Sequence, residues 1–209
     1  MPKPVKKSYH HGNLYNELLF EAAQTIKKDG LAKLSLRKLA KKCGVSVTAS
    51  YRHFADKNAL VVAVIQRGYE LLYNHLNAIL DKKSNYNVIT RLESLGYGYI
   101  EFAQQHQNFF YIMYGNHLLP KDYTQELKNI SDKVHDLLGT LIKEGIKNKI
   151  IKKYNVDYVT FSMWAYLHGI TLLILQGKAN KIITKPNANT KKFVNHLMKF
   201  LQTGIGQKH

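Results

Sequence analysis

The chain has 209 residues, 45% of them hydrophobic and 22% charged, enough for one good-sized core or for a small module joined to a larger one. Lys and Arg number 31 against 14 Asp and Glu, a formal charge of +17, which favours an anionic partner such as nucleic acid, a membrane surface or an acidic protein. A single cysteine, Cys43, excludes an internal disulfide and a Cys-based zinc knuckle.

Residues 1–12 read as a basic arm, "MPKPVKKSYHHG", with no apolar stretch of the kind a secretion signal carries, so a reducing cytoplasm is the expected compartment. Residues 1–60 hold 12 Lys/Arg and 4 Asp/Glu, a net +8, so positive charge is denser here than in the remainder. Residues 13–29 place Leu14, Leu18, Leu19, Ala22, Ala23 and Ile26 on one stripe of a helix, with Asn13 as N-cap and Gly30 as stop. In "SLRKLAKKCG", Ser35 is the expected cap, Leu36, Leu39 and Ala40 face inward, and Gly44 ends the helix; Cys43 is expected to be a buried thiol. "SVTASYRHF" follows, capped by Ser46, and Asp56 then caps a long amphipathic helix to about Leu80.

"DKKSNYN" is a linker by composition. Beyond it the pattern predicts helices at about 88–105 and 107–115, a break at Pro120, and helices at 122–148, 157–178 and 190–203. The most apolar run, Phe161 to Gly177, is shorter than a membrane span of about 20 residues and carries His168 and several hydroxyls, so it is predicted as a buried helix. No strand pattern or repeat stands out. The expected class is all-α.

Two short helices joined through a glycine form a helix-turn-helix pattern. Ala40 is small where the helices must approach, and Gly44 sits where the turn calls for a positive φ. Val47, Thr48 and Ala49 open the second helix with short side chains, the shape that lets a helix N-terminus approach base edges in a major groove. Thr48, Tyr51 and His53 can donate to phosphates, Lys57 offers a nearby charge and Arg37 a fork able to grip a guanine, and Ser46 and Arg52 complete the expected DNA-binding set.

The stretch from Tyr9 to Ile65, with "LSLRKLAKKCGVS" and then Tyr51, His53, Phe54, Lys57 and Leu60 of "YRHFADKNAL", resembles the DNA-binding module of the TetR family of bacterial transcription regulators. The resemblance implies a three-helix DNA-binding module at 13–56, linked by a long helix to a helical effector-binding and dimerisation domain within 57–209. It also implies base contacts from Arg37, Val47, Thr48 and Ala49, and phosphate contacts from Tyr51, His53 and Lys57. Ser50 departs from the branched apolar residue or proline usual there.

"SMWAYLHGITLLILQGK" is similar to the Trp…His-Gly signature of the WHG subgroup of regulatory domains, carried here by Trp164, His168 and Gly169. Trp164 and His168, four apart, share a helix face, and a hydrogen-bonded core or interface role for His168 is favoured over ligand binding. The resemblance further implies a homodimer built as a four-helix bundle from 157–178 and 190–203, acting as a repressor on double-stranded DNA. Tyr97, Phe102, His106, Phe109, Phe110, Met113, Tyr114 and His117, with Trp164 and His168, either line an effector pocket for a small apolar or aromatic ligand or form an ordinary aromatic core.

An enzyme is not expected, since GxSxG, HExxH, P-loop and dinucleotide fingerprints are absent. His10-His11 and the other histidines lack carboxylate or cysteine partners at ligand spacing, so neither metal nor cofactor is implied. The alternatives are an architectural DNA-binding protein without a ligand, and a basic membrane-surface protein that would need a Lys/Arg-rich amphipathic helix none of these segments provides.

Overall fold

The structure, a computed structural model, describes residues 14–115 and 122–179 together with positions 192, 193, 195, 196 and 199. The basic arm, the Asn13 cap, His117, Pro120 and most of the 190–203 segment lie outside the described residues. Among the described residues the chain is helical throughout, with no strand: α1 (Leu14–Asp29), a 3-10 turn (Leu31–Lys33), α2 (Leu36–Lys42), α3 (Val47–His53), α4 (Lys57–Lys82), α5 (Val88–Gln105), α6 (Gln107–Met113), α7 (Gln125–Lys147) and α8 (Val156–Leu175).

Side-chain oxygens set most of the helix starts by accepting from the backbone N–H three residues on. Ser46 accepts from Ala49 at 3.2 Å, Asp56 from Ala59 at 2.8 Å, Asn87 from Thr90 at 2.9 Å and Asn155 from Tyr158 at 3.1 Å. Thr124 does the same for α7, accepting from Leu127 at 3.2 Å, which delays that helix to Gln125 rather than the expected 122. Ser35 departs from expectation: it occupies the N-cap position of α2 but makes no side-chain cap bond.

The apolar stripe of α1 packs on Leu34, Leu36, Leu39, Phe54 and Leu60 to close the three-helix module. The same core runs without interruption along α4, through Val64, Leu72 and Leu76, into Phe102, Phe110 and Ile112 of α5 and α6. A second core at the far end joins Leu80, Leu92, Ile100, Leu138, Ile142 and Met163. Gly98 in the "GYGYIEF" segment has a packing role: a Cβ there would meet the tip of the Ile79 side chain, so the glycine leaves room for it where α5 lies on α4.

Two expectations about burial need correction. Cys43 is half-buried rather than buried. The run from Phe161 to Gly177 is not a buried helix within its own subunit: in α8 only Val159, Met163 and Thr171 are buried. Tyr158 and Phe161 stay 76% and 67% exposed, and Leu172 and Leu173 also face outward. By length and composition α8 could cross a membrane, with a mean hydropathy of 1.4 in its best window. An apolar helix face left uncovered by the described residues calls for another surface to cover it.

Candidate nucleic-acid interface and effector cavity

The turn between α2 and α3 is closed by two nested backbone bonds. Gly44 N–H donates to the Lys41 carbonyl at 3.2 Å and Val45 N–H to the Ala40 carbonyl at 2.9 Å. This pattern needs a left-handed residue at its apex, and Gly44 has φ +70°. It ends α2 abruptly and sends the chain into α3 within four residues.

Ser50 faces inward from α3 and is fully buried, where an apolar side chain would otherwise pack. Its hydroxyl donates to the Val47 carbonyl at 2.7 Å, so the buried polar atom is satisfied inside its own helix. The other face of α3 is open: Ser46, Val47, Thr48, Tyr51, Arg52 and His53 are exposed and Ala49 is half-buried. Arg37, in the first turn of α2, is exposed, and Lys57, in the first turn of α4, is half-buried. Arg37, Arg52 and Lys57 take part in no ion pair among the described residues, so their charges are not neutralised within the subunit. Lys42 is committed inward, donating to Thr25 at 3.0 Å and lying 3.7 Å from Glu21.

Tyr15 belongs to this surface, although it lies off the apolar stripe of α1. Its ring stacks on Phe54 at 5.3 Å and meets His53 edge-on at 6.0 Å, while 41% of the residue remains exposed. It braces the C-terminal end of α3. The available signal was an aromatic with a polar handle in the first turn of that helix.

The aromatic set divides into three groups. Phe102, Phe109, Phe110 and Met113 are core, none more than 7% exposed. Tyr97 lies apart, against the second core, and His106 sits at the junction of α5 and α6 with its ring 4.8 Å from Phe102. Tyr99, Tyr114, Trp164 and His168 form a polar cluster. His168 Nδ1 is 2.9 Å from the Tyr99 hydroxyl, and the His168 ring stacks on Trp164 at 5.3 Å and lies 4.4 Å from Tyr114. Burial lowers the His168 pKa and drives those of the Tyr99 and Tyr114 phenols well above their usual value, so all three are neutral near pH 7. The Tyr114 hydroxyl and Trp164 Nε1–H are buried beside the Tyr99 hydroxyl, near enough to interact with it and with each other but short of good hydrogen-bond geometry.

A cavity of about 600 Å³ lies elsewhere, between α7 and α8. Of the described residues expected to line a pocket, only Trp164 borders it. Its other walls include His135, Asp136, Lys143, Asp157, Thr160 and Phe161, none of which the sequence singled out, because their convergence depends on how α7 and α8 pair.

Comparison with known proteins matches residues 18–64 to the family described as "Bacterial regulatory proteins, tetR family" and residues 92–198 to "Tetracyclin repressor-like, C-terminal domain". The nucleoid occlusion factor SlmA of Marinomonas sp. (strain MWYL1) is 28% identical over 137 residues, 66% of this chain and 68% of that protein. Among solved structures, a protein of unknown function from Rhodococcus sp. RHA1 is 28% identical, with a TM-score of 0.81 over 97% of this chain and 100% of that one. The fatty acid degradation regulator FadR of Bacillus halodurans shares the fold at 15% identity, with a TM-score of 0.72 and 96% of each chain covered.

Proposed function

We propose, from the premise that this chain belongs to the TetR family of bacterial regulatory proteins, that it is a ligand-responsive repressor that binds a near-palindromic operator as a homodimer. Its class is that of DNA-binding transcription regulators, which are soluble and are not enzymes. The observation that carries the reading is α3, whose one fully buried side chain, Ser50, is satisfied internally while most of its other side chains stand exposed. Arg37, Val47, Thr48 and Ala49 are assigned to base edges, and Ser46, Tyr51, Arg52, His53 and Lys57 to phosphates. Residues 1–12 serve as an arm, 13–56 as the DNA-binding module and 57–209 as the effector and dimerisation part.

Dimerisation is supported by the uncovered apolar face of α8. Tyr158, Phe161, Ala165, Gly169, Leu172 and Leu173 are all exposed there, and an isologous pairing with a second copy removes that surface from water. Two recognition helices related by a two-fold axis require half-sites one helical turn or a multiple apart. The core that runs from α5 and α6 into α1 gives an effector a packed route to the spacing of those helices, through a shift between binding-competent and incompetent populations.

A salt-controlled gel shift against duplex DNA from upstream of the protein's own gene tests this reading. The expected result is a discrete complex on a fragment holding an inverted repeat, lost when the repeat is scrambled. Equal affinity for both duplexes removes the sequence-specific repressor. That outcome leaves the second reading, ligand-independent DNA binding, which the likeness to a nucleoid occlusion factor favours.

A further inference from the structure

The cavity between α7 and α8 has an electrostatic character opposite to that of the chain. Two carboxylates, Asp136 on α7 and Asp157 on α8, stand at it against one lysine, Lys143, in a protein with 31 basic and 14 acidic residues. Neither carboxylate is in an ion pair among the described residues, although other acids find partners: Glu144 meets Arg91 at 2.7 Å and Glu70 meets Arg67 at 3.2 Å. Asp157 is not needed as a cap, since Asn155 already fills that role for α8.

The remaining walls are aromatic. Phe161, two-thirds exposed, and the indole of Trp164 border the opening, and a cation held near an aromatic face gains from the ring quadrupole as well as from a carboxylate. The Thr160 hydroxyl, in the lining, is buried with no hydrogen-bond partner. Thr171 and Ser94, also within helices, each donate at 2.7 Å to the carbonyl four residues back, a bond the Thr160 hydroxyl does not make. Opposite it, Gly139 is not required by packing. A Cβ there would lie 3.7 Å from Thr160 Oγ1, in ordinary contact, so its missing side chain simply widens the cavity. A volume of about 600 Å³ suits a small organic molecule rather than a bare ion, and no group of metal-ligating side chains occurs among the described residues.

We propose that this cavity binds a small organic cation, its apolar body against Trp164 and Phe161 and its charge between Asp136 and Asp157, and that this occupant is the effector of the regulator. The effector role rests on the repressor reading given above; the binding site does not. The position suits regulation: α7 packs along α4, whose first turn carries Lys57, while Phe161 belongs to the α8 face assigned to the partner subunit. A molecule wedged between α7 and α8 therefore presses on both the dimer contact and the helix that leads to the DNA-binding module.

Trp164 is the only tryptophan in the chain, so its fluorescence reports on this cavity directly. The full-length protein is titrated with tetraphenylphosphonium and, as a control of similar size and opposite charge, with tetraphenylborate. The expected result is a saturable fluorescence change with the cation, at least about tenfold weaker in Asp136→Asn/Asp157→Asn, stronger in Lys143→Gln, and no saturable change with the anion. An equal response to both ions, or an unchanged cation affinity in the double variant, overturns the site. The same preparations are run in the operator gel shift. A parent protein that binds the cation yet keeps its operator complex at saturation overturns the effector role. A parent that binds no operator overturns the repressor reading while the fluorescence result still decides the site.

Discussion

Replacing Gly169 by alanine separates the stability of one subunit from that of the dimer, with opposite signs. Gly169 lies inside α8 on its exposed face, and a Cβ added there meets no atom within 4 Å. Within the subunit the only effect is removal of glycine's helix penalty, so the isolated fold gains about 1 kcal/mol, a rise of roughly 2–4 °C in Tm at this chain length. In the proposed dimer the same methyl would stand between Ala165 and Leu172, where the partner's α8 would cross. Crowding a packed contact by one methyl costs about 1–3 kcal/mol, and two-fold symmetry places a copy on each side. With a total near 2 kcal/mol the dimer dissociation constant rises roughly 30-fold. Sedimentation equilibrium over a range of concentrations measures that constant, and thermal unfolding below it measures the monomer. A raised Tm with an unchanged dissociation constant refutes a helix crossing at Gly169. A lowered monomer Tm refutes the claim that its own subunit leaves this position uncovered.

Lys149 ends α7 at φ +57°, a conformation costly for a side-chain-bearing residue, so Lys149→Gly should stabilise the fold by about 1 kcal/mol in urea denaturation. Lys57→Ala should weaken binding to every duplex and lower the salt slope by about one unit, whereas Arg37→Ala should cost about 1–3 kcal/mol and relax preference at one base pair. Gel shifts on the operator and its point variants, at several salt concentrations, distinguish the two. Burial holds the His168 pKa below its ordinary 6.5, so the folded protein binds fewer protons than the unfolded chain. That contribution to stability is complete above pH 6.5 and is lost as the pH falls toward and through the lowered folded value. Unfolding midpoints at pH 7.5 and 5.0 should differ less in His168→Gln than in the parent.

What the sequence determined by itself is the part of the fold governed by near neighbours. Asp56, Ser46 and Gly44 each act within a few residues through a hydrogen bond or a backbone angle, so the bounds of α3 and α4 and the helix-turn-helix were legible before any coordinates. Trp164 and His168 share a face as their spacing requires, and stack. The open face of α3 was legible too, because its polar run conflicts with a core role. Tertiary structure decided the rest, and the physical reason is that periodicity identifies an apolar face without naming its partner. The stripe of α5 and α6 met α4 and became core, while the more apolar α8 is covered on one side only among the described residues, by α5 and α7. Ser50 could replace an apolar residue because the Val47 carbonyl took its hydrogen bond. The α7–α8 cavity draws Asp136 and Asp157 together from different helices, a meeting fixed only by how those helices pack.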